Sequence, residues 1–310
     1  MESTLNRRVF LRRAAVALAA APLAPMLCPA VEPFGRKGPP RLRLSLAAYS
    51  FRQYFKDGRD KGEADASKQI DLFQFIDFCA AHNCEGAELT SYYFPPNTDR
   101  EFLLKLRRHA FLRGVSISGT AVGNTFTHPE GKDRQSELTL VKKWIEHAAV
   151  MGAPHIRIFA GATPRGLNPD EAKKFCITAV EECAKLAAEK GIFLGLENHG
   201  GIVAEPKDLL EIIRAINSPW VGINLDSGNF HTDDPYRDFE LCAPYAVNVQ
   251  IKSEIRRRRG GSEPADLKRM VDILRKANYQ GFVALEYEAA PDPWKEVPVL
   301  LKQLSPLLAT

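Results

Sequence analysis

Four apolar runs in the second half of the chain each end on an oxygen-bearing side chain, and this layout constrains the fold more than any other feature. The runs are IFLGLENHG with Glu197, VGINLDSGN with Asp226, AVNVQIKSE with Gln250 and FVALEYE with Glu286. A strand buried on both faces reads as a continuous apolar run, the signature of a parallel sheet covered by helices. Such folds gather their chemistry at the C-terminal ends of the strands, where these four tips lie. Three carboxylates and an amide converge only where a cation offsets their mutual repulsion. The pattern predicts a divalent-metal site on an α/β barrel.

The remaining chain agrees. Strand-like runs occur at residues 42–51, 85–89, 115–122, 155–161, 192–200, 221–228, 246–253 and 282–288. Helix-period segments alternate with them at 68–82, 100–113, 135–151, 169–190, 206–216, 236–242, 265–277 and 294–308. Pro169 and Pro206 stand at helix starts, and Gly114, Gly152 and Gly191 follow helix ends. Eight strands alternating with eight helices predict a single closed (β/α)8 barrel of the α/β class over residues 42–310. An open doubly wound sheet would want a glycine-rich phosphate loop after its first strand, and AAYSFRQYF has no glycine there.

Residues 1–30 read as a removable export signal. Arg7-Arg8-Val9-Phe10-Leu11 begins a basic region, an Ala/Leu stretch follows, and the segment closes on small residues near Ala30. The paired arginines resemble a twin-arginine signal, which implies a periplasmic destination. The apolar stretch from 16 to 27 is short and interrupted by Pro22 and Pro25, which argues against a stable membrane anchor. Residues 31–41 (VEPFGRKGPPR) read as a Pro/Gly linker. Without residues 1–30 the chain loses four arginines and one glutamate, so its formal charge falls from +4 to +1. A nearly neutral domain gives no footprint for nucleic acid. Cys79, Cys84, Cys176, Cys183 and Cys242 are an odd set without regular spacing, which reads as core thiols and not a disulfide framework. Free thiols suit folding in a reducing compartment before export, with the metal loaded there.

Strand periodicity places Glu197 on one face with His199, Gln250 with Asn248, Lys252 and Glu254, and Glu286 with Ala284 and Glu288. His199 is expected to hold a substrate hydroxyl, to serve as an acid or base, or to orient a neighbour. Lys252 is expected to stabilise a developing oxyanion or to pair with a carboxylate of the site. Arg157 sits mid-strand and reads first as an interior ion pair, for instance with Glu88, and also counts among the substrate contacts. His231 follows the NLDSGNF turn and is a further substrate-binding candidate. His155 begins its strand, at the stability end of the barrel. The Arg256–Arg259 run reads as a solvated loop, with a substrate lid as the lesser reading.

The motifs LENHG, NLDSGNF, VQIKSE and ALEYE, in this order and one to each βα unit, resemble the xylose-isomerase-like barrel superfamily over roughly residues 42–308. That superfamily includes ketose 3-epimerases, inosose dehydratases and 3-keto-glycoside lyases, with endonuclease IV as a distant cousin. The resemblance implies that Glu197, Asp226, Gln250 and Glu286 are metal ligands, with Gln250 standing where the commonest form has histidine. An all-oxygen set favours Mn²⁺, with Mg²⁺ or Co²⁺ as alternatives, over Zn²⁺. It further implies that Glu197 and Glu286 take and return a proton α to a carbonyl of a sugar or cyclitol, through an enediolate. The rival outcome is loss of a leaving group, in a 3-keto-glycoside lyase, a hydratase or an inosose dehydratase. A non-catalytic sugar-binding barrel is the reading from another class, and the opposed glutamates argue against it. A multi-zinc nuclease would need more histidines than this chain offers. Oligomers are common in the superfamily, which makes a homo-oligomer a further expectation.

Overall fold

The computed structural model describes residues 31–58 and 66–309. Eight parallel strands close into a barrel: β1 (Arg41–Ala47), β2 (Gly86–Thr90), β3 (Ser116–Ala121), β4 (His155–Ile158), β5 (Phe193–Glu197), β6 (Val221–Asp226), β7 (Ala246–Ile251) and β10 (Gln280–Leu285). Strand β10 pairs with both β7 and β1 and so completes the ring. A short antiparallel hairpin, β8 (Glu254–Arg256) with β9 (Ser262–Pro264), follows β7. The helices are α1 (Leu72–Ala81), α2 (Arg100–Leu112), α3 (Lys132–Met151), α4 (Pro169–Lys190), α5 (Pro206–Ala215), α6 (Pro235–Cys242), α7 (Leu267–Lys276) and α8 (Pro293–Ala309). The expected (β/α)8 barrel is the observed one. Several strands stop short of their apolar runs; β4 ends at Ile158 and β5 at Glu197.

Local chemistry explains the elements. Helix α4 starts on a reciprocal cap, in which the Asn168 side chain accepts from the Glu171 amide and Glu171 accepts from the Asn168 amide. Pro169 fills the first turn, and Gly191 ends the helix in the left-handed conformation at φ 68°. Along β5 to β10 the two faces differ. Leu194, Leu196, Ile223, Leu225, Val249, Ile251, Val283 and Leu285 are fully buried apolar positions, which is the outward set that helices cover in a parallel barrel. Alternate positions include the buried polar residues Glu197, Asn224, Asp226, Asn248 and Gln250, which face the lumen. Glu88 on β2, for example, is reached by Asn248 and Gln250 on β7.

A register shift between β6 and β7 sets that alternation. Ile223 pairs with Ala246 but Asn224 pairs with Asn248, so Val247 is an extra residue. Beyond it, Asn248, Gln250 and Lys252 make their side-chain contacts inside the barrel.

The N-terminal mouth is closed by residues 31–40, the segment read as a linker from its Pro/Gly content. The Val31 amide donates to the Ile216 carbonyl at 3.3 Å, and the Phe34 amide to the Pro244 carbonyl at 3.0 Å. The Phe34 ring meets Phe193 edge-on at 6.0 Å, and Phe193 lies 4.9 Å from Trp220. Arg36 lies 5.0 Å from the ring centres of both Phe34 and Tyr279. Asn278 and Gln280 donate to carbonyls of Arg36, Lys37 and Pro39. The five cysteines of the barrel are free and buried, as their composition suggested. The export-signal reading falls on residues outside those described. No described helix is long and apolar enough to cross a membrane.

Candidate active site

Strands β5, β6, β7 and β10 are consecutive neighbours in the barrel, so their tips form one arc of the C-terminal mouth. Glu197 ends β5, Asp226 ends β6, Gln250 is next to last in β7, and Glu286 follows β10 by one residue. All four are buried. Backbone clamps hold the arc. Asn198 donates to the Asp226 carbonyl and accepts from the Asp226 amide, both at 2.8 Å. Ser50 accepts from the Tyr287 amide at 2.9 Å, fixing the strand end that carries Glu286.

Each carboxylate meets a cation supplied by the protein. Arg157 Nε lies 2.8 Å from Glu197 Oε2, and Asn229 donates to Glu197 Oε1 at 2.8 Å. Arg157 also donates to the Val122 carbonyl and stacks on the Phe159 ring at 3.9 Å. The interior ion pair expected of Arg157 exists, but its partner is Glu197 and not Glu88. Arg157 is level with Gly195 in the β4–β5 register, two residues below Glu197 on the same face. Face periodicity alone could not give that height. The Lys252 ammonium lies 2.6 Å from Glu288 Oε2, 3.3 Å from Asp226 Oδ2 and 3.8 Å from Glu286 Oε1, and donates to Asn229 Oδ1 at 3.1 Å.

Gln250 belongs to a second polar layer. Its Nε2 donates to Glu88 Oε1 at 2.6 Å, and its Oε1 accepts from Asn224 at 2.7 Å. Asn248 donates to Glu88 Oε2 at 2.7 Å. His155 lies in this layer, 3.9 Å from Glu88, and burial lowers its pKa to about 4, which keeps the ring neutral. It is the first residue of β4, and its side chain points into the barrel beside Glu88.

Burial dominates the electrostatics. It raises Glu197 to about 7 against Arg157, with Asp226 adding to the rise. Burial likewise raises Asp226, Glu286 and Glu88. Burial opposes the Lys252 ammonium, yet the Asp226, Glu286 and Glu288 carboxylates prevail and raise its pKa. This is the reciprocal pattern of a carboxylate cluster short of positive charge.

His199 has an exposed edge beside Phe159, 4.5 Å between ring centres. Loss of surrounding water and then Arg157 and Lys252 lower its pKa. His231 lines a cleft of about 220 Å³ with Gly228, Asn229, Lys252, Arg256 and Glu288. That cleft adjoins the arc through Lys252. The arginine run is not a free loop. Arg257 pairs with Glu263 at 3.0 Å, Arg258 pairs with Glu205, and the Arg258 amide donates to the Thr232 carbonyl. These contacts tie the β8–β9 hairpin to the loops after β5 and β6.

Sequence reasoning missed Asn198, Asn229 and Glu288 as site residues. Asn198 and Asn229 stand beside or near the glutamate and aspartate tips, in LENHG and LDSGN, which was the available signal. Asn224 and Glu88 were hidden because their contacts cross between strands.

A divalent cation fits this arrangement on three counts. Asp226 Oδ2 is buried without a hydrogen-bond partner. Among the described residues, Glu197, Asp226, Glu286 and Glu288 form ion pairs with Arg157 and Lys252 alone, so four carboxylates share two cations. The donor set is all oxygen, and the Gln250 carbonyl oxygen keeps a second lone pair beside its bond from Asn224. As placed, no three His, Cys, Asp or Glu side chains among the described residues are gathered closely enough to hold a metal. Binding therefore requires side-chain movement.

Residues 76–304 match the family model described as "Xylose isomerase-like TIM barrel". A 3-oxo-isoapionate decarboxylase of Pectobacterium atrosepticum is 26% identical over 193 residues, covering 61% of this chain and 58% of that protein. The chain thus spans less than two thirds of that relative. A putative hydroxypyruvate isomerase of Xenopus laevis is 24% identical over 230 residues, 68% of this chain and 83% of that protein. Among solved structures, the IolI protein with a zinc atom superposes with a TM-score of 0.66 at 15% identity, covering 86% of this chain and 98% of that one. With the fold, the motif order and the family match in agreement, the chain belongs to the xylose isomerase-like TIM barrel family.

Proposed function

We propose that this protein is a divalent-metal-dependent isomerase or epimerase of a small hydroxy-ketone sugar or cyclitol. The observation that carries the reading is the arc itself: two buried glutamates, Glu197 and Glu286, flank Asp226 and Gln250 on neighbouring strands. Glu197, Asp226, Glu286 and the Gln250 amide oxygen are the residues that would hold the ion. With an all-oxygen donor set Mn²⁺ is the preferred choice, ahead of Mg²⁺ or Co²⁺. Once bound, the ion would polarise the substrate carbonyl and offset charge on the enediolate.

The chain's own residues carry the proton. Glu197 takes the α-proton, and the C–H electron pair moves into the enediolate. Glu286 delivers a proton from the other flank of the arc, inverting a carbon or completing an isomerisation. Arg157 and Asn229 fix the Glu197 carboxylate, which limits the reorientation needed before transfer. On this reading Lys252 and His231, which line the adjoining cleft, and His199, at the exposed end of β5, contact substrate hydroxyls.

A lyase or decarboxylase is the second reading, and the cleft beside Lys252 favours it by offering room for a departing group. The decarboxylase relative is consistent with that outcome. Reading residues 1–30 as a twin-arginine export signal, we further propose a periplasmic location for the enzyme.

The test is turnover by the Mn²⁺-loaded protein in D₂O, on ketoses, inososes, hydroxypyruvate and 3-keto-glycosides, followed by NMR. Deuterium at the α-carbon of a rearranged product is the expected result. Release of an aglycone, water or carbon dioxide instead would establish the second reading. Metal binding without any exchange would leave a sugar-binding barrel.

A further inference from the structure

The position of Lys252 bears on how the site handles a cation. Its ammonium sits between Asp226 and Glu286, at 3.3 and 3.8 Å, the carboxylates at the ends of β6 and β10, the two strands that flank β7. The contact to Asp226 Oδ2 leaves that oxygen without a directed hydrogen bond, so the ammonium neutralises the oxygen without satisfying it. The shortest ion pair of Lys252 points elsewhere, to Glu288 at 2.6 Å. Glu288 stands at the edge of the cleft and is partly open to solvent, whereas Asp226 is fully buried. Lys252 thus has an inner set of partners and an outer one.

The aliphatic stem of Lys252 lies over Gly228. A Cβ at Gly228 would stand 2.6 Å from Lys252 Cδ and 3.2 Å from Lys252 Cβ. The glycine of the LDSGN turn therefore provides the seat along which this side chain reaches inward.

We propose that Lys252 is a tethered cation that substitutes for the divalent ion between Asp226 and Glu286, and that ion binding transfers its ammonium wholly to Glu288. The idea rests on the metal-dependent reading above. It accounts for a carboxylate cluster that stays folded before metal arrives, since an ion cluster lacking compensation is strongly unfavourable when buried. It also makes Glu288 a positioning residue, acting on the metal through Lys252 and not by contact.

Mn²⁺ affinity of the metal-free protein, measured by titration calorimetry, tests this without any substrate. Lys252→Met removes the competitor and is expected to tighten Mn²⁺ binding by at least about tenfold, since neighbouring unit charges interact strongly in a partly buried site. Glu288→Gln removes the outer partner and is expected to weaken Mn²⁺ binding about fivefold, on the same scale. In the double variant the Glu288→Gln effect should fall below about twofold, because it operates only through the lysine. Equal weakening by Glu288→Gln in both backgrounds would mean simple charge summation and overturn the proposal. So would unchanged or weaker binding in Lys252→Met. If Lys252→Met fails to fold, the wild-type ammonium can be followed by lysine ¹⁵N NMR during Mg²⁺ titration. A signal that keeps its metal-free position at saturation also overturns it. Should wild-type protein and Lys252→Met both fail to bind Mn²⁺, the divalent-site reading itself falls; binding by wild type without tightening sinks only the lysine proposal.

Discussion

The two mouths of this barrel are built from opposite materials. The N-terminal mouth is covered by residues 31–40 and lined by Phe34, Phe193, Trp220 and Tyr279, with Arg36 stacked among the rings. Its polar backbone groups find partners in Pro244, Ile216 and Asn278. The C-terminal mouth concentrates Glu197, Asp226, Glu286 and Glu288 around two cations, and leaves Asp226 Oδ2 without a hydrogen bond. One end gains stability from apolar and stacking contacts. The other holds charge in a poorly solvated place, an arrangement that costs stability and suits chemistry. The difference teaches that a barrel can separate these tasks by end, since each strand contributes to both.

The sharpest way to break the comparison is to alter the charged mouth alone. Glu286→Gln is expected to lower turnover by about 10³-fold, with the thermal unfolding midpoint unchanged or raised. A fall in stability alongside activity would mean that the carboxylate is structural. Next in size is the pH dependence of metal binding. Folded Glu197 has a pKa raised to about 7, so it binds a proton below that pH and must release it for the ion. Mn²⁺ affinity should therefore climb as pH rises toward about 7 and level off above it. Stability of the metal-free protein runs the opposite way. A carboxylate with a raised folded pKa favours the fold at low pH and loses that contribution as pH rises from its unfolded value, near 4.5, through about 7. Flat affinity from pH 5 to 8 would contradict the burial argument.

At the other mouth, Phe34→Ala should cost about 1–2 kcal/mol of stability, as expected for a half-buried ring, and leave Mn²⁺ affinity alone. Denaturant unfolding with a parallel metal titration checks both halves. The smallest effect is expected from Ser262→Ala on the hairpin, which removes an exposed bond to Glu254. Its stability should stay within about 0.5 kcal/mol of the parent; a larger loss in the same unfolding assay would assign the hairpin a structural role.

The barrel was legible because eight apolar runs and eight helical periods alternate with caps at their ends. Glu197, Asp226 and Glu286 were legible because each ends such a run. What the linear pattern could not give was height and distance across the lumen. Arg157 and Glu88 share the lumen, yet strand register brings Arg157 to Glu197. Gln250 reaches Glu88 across 162 positions of chain, and no local period encodes that contact. The β8–β9 hairpin has three-residue strands, too short to display alternation beside four arginines. The Pro/Gly segment 31–41 resembles a linker in composition, and only the partners of Val31 and Phe34 show it to be bound.

The extra residue at Val247 has a consequence for how this site can change over time. Strand side chains alternate, so a one-position slip exchanges the two faces. Loss of that single codon would remove only the bulge and leave Asn248 opposite Asn224, whereas a codon lost between Asn248 and Gln250, with no bulge to absorb it, would turn Gln250 and Lys252 toward the helices. A gain or loss of one residue in β7 is therefore harmless to its polar wall where a bulge absorbs it, and erases that wall where none does.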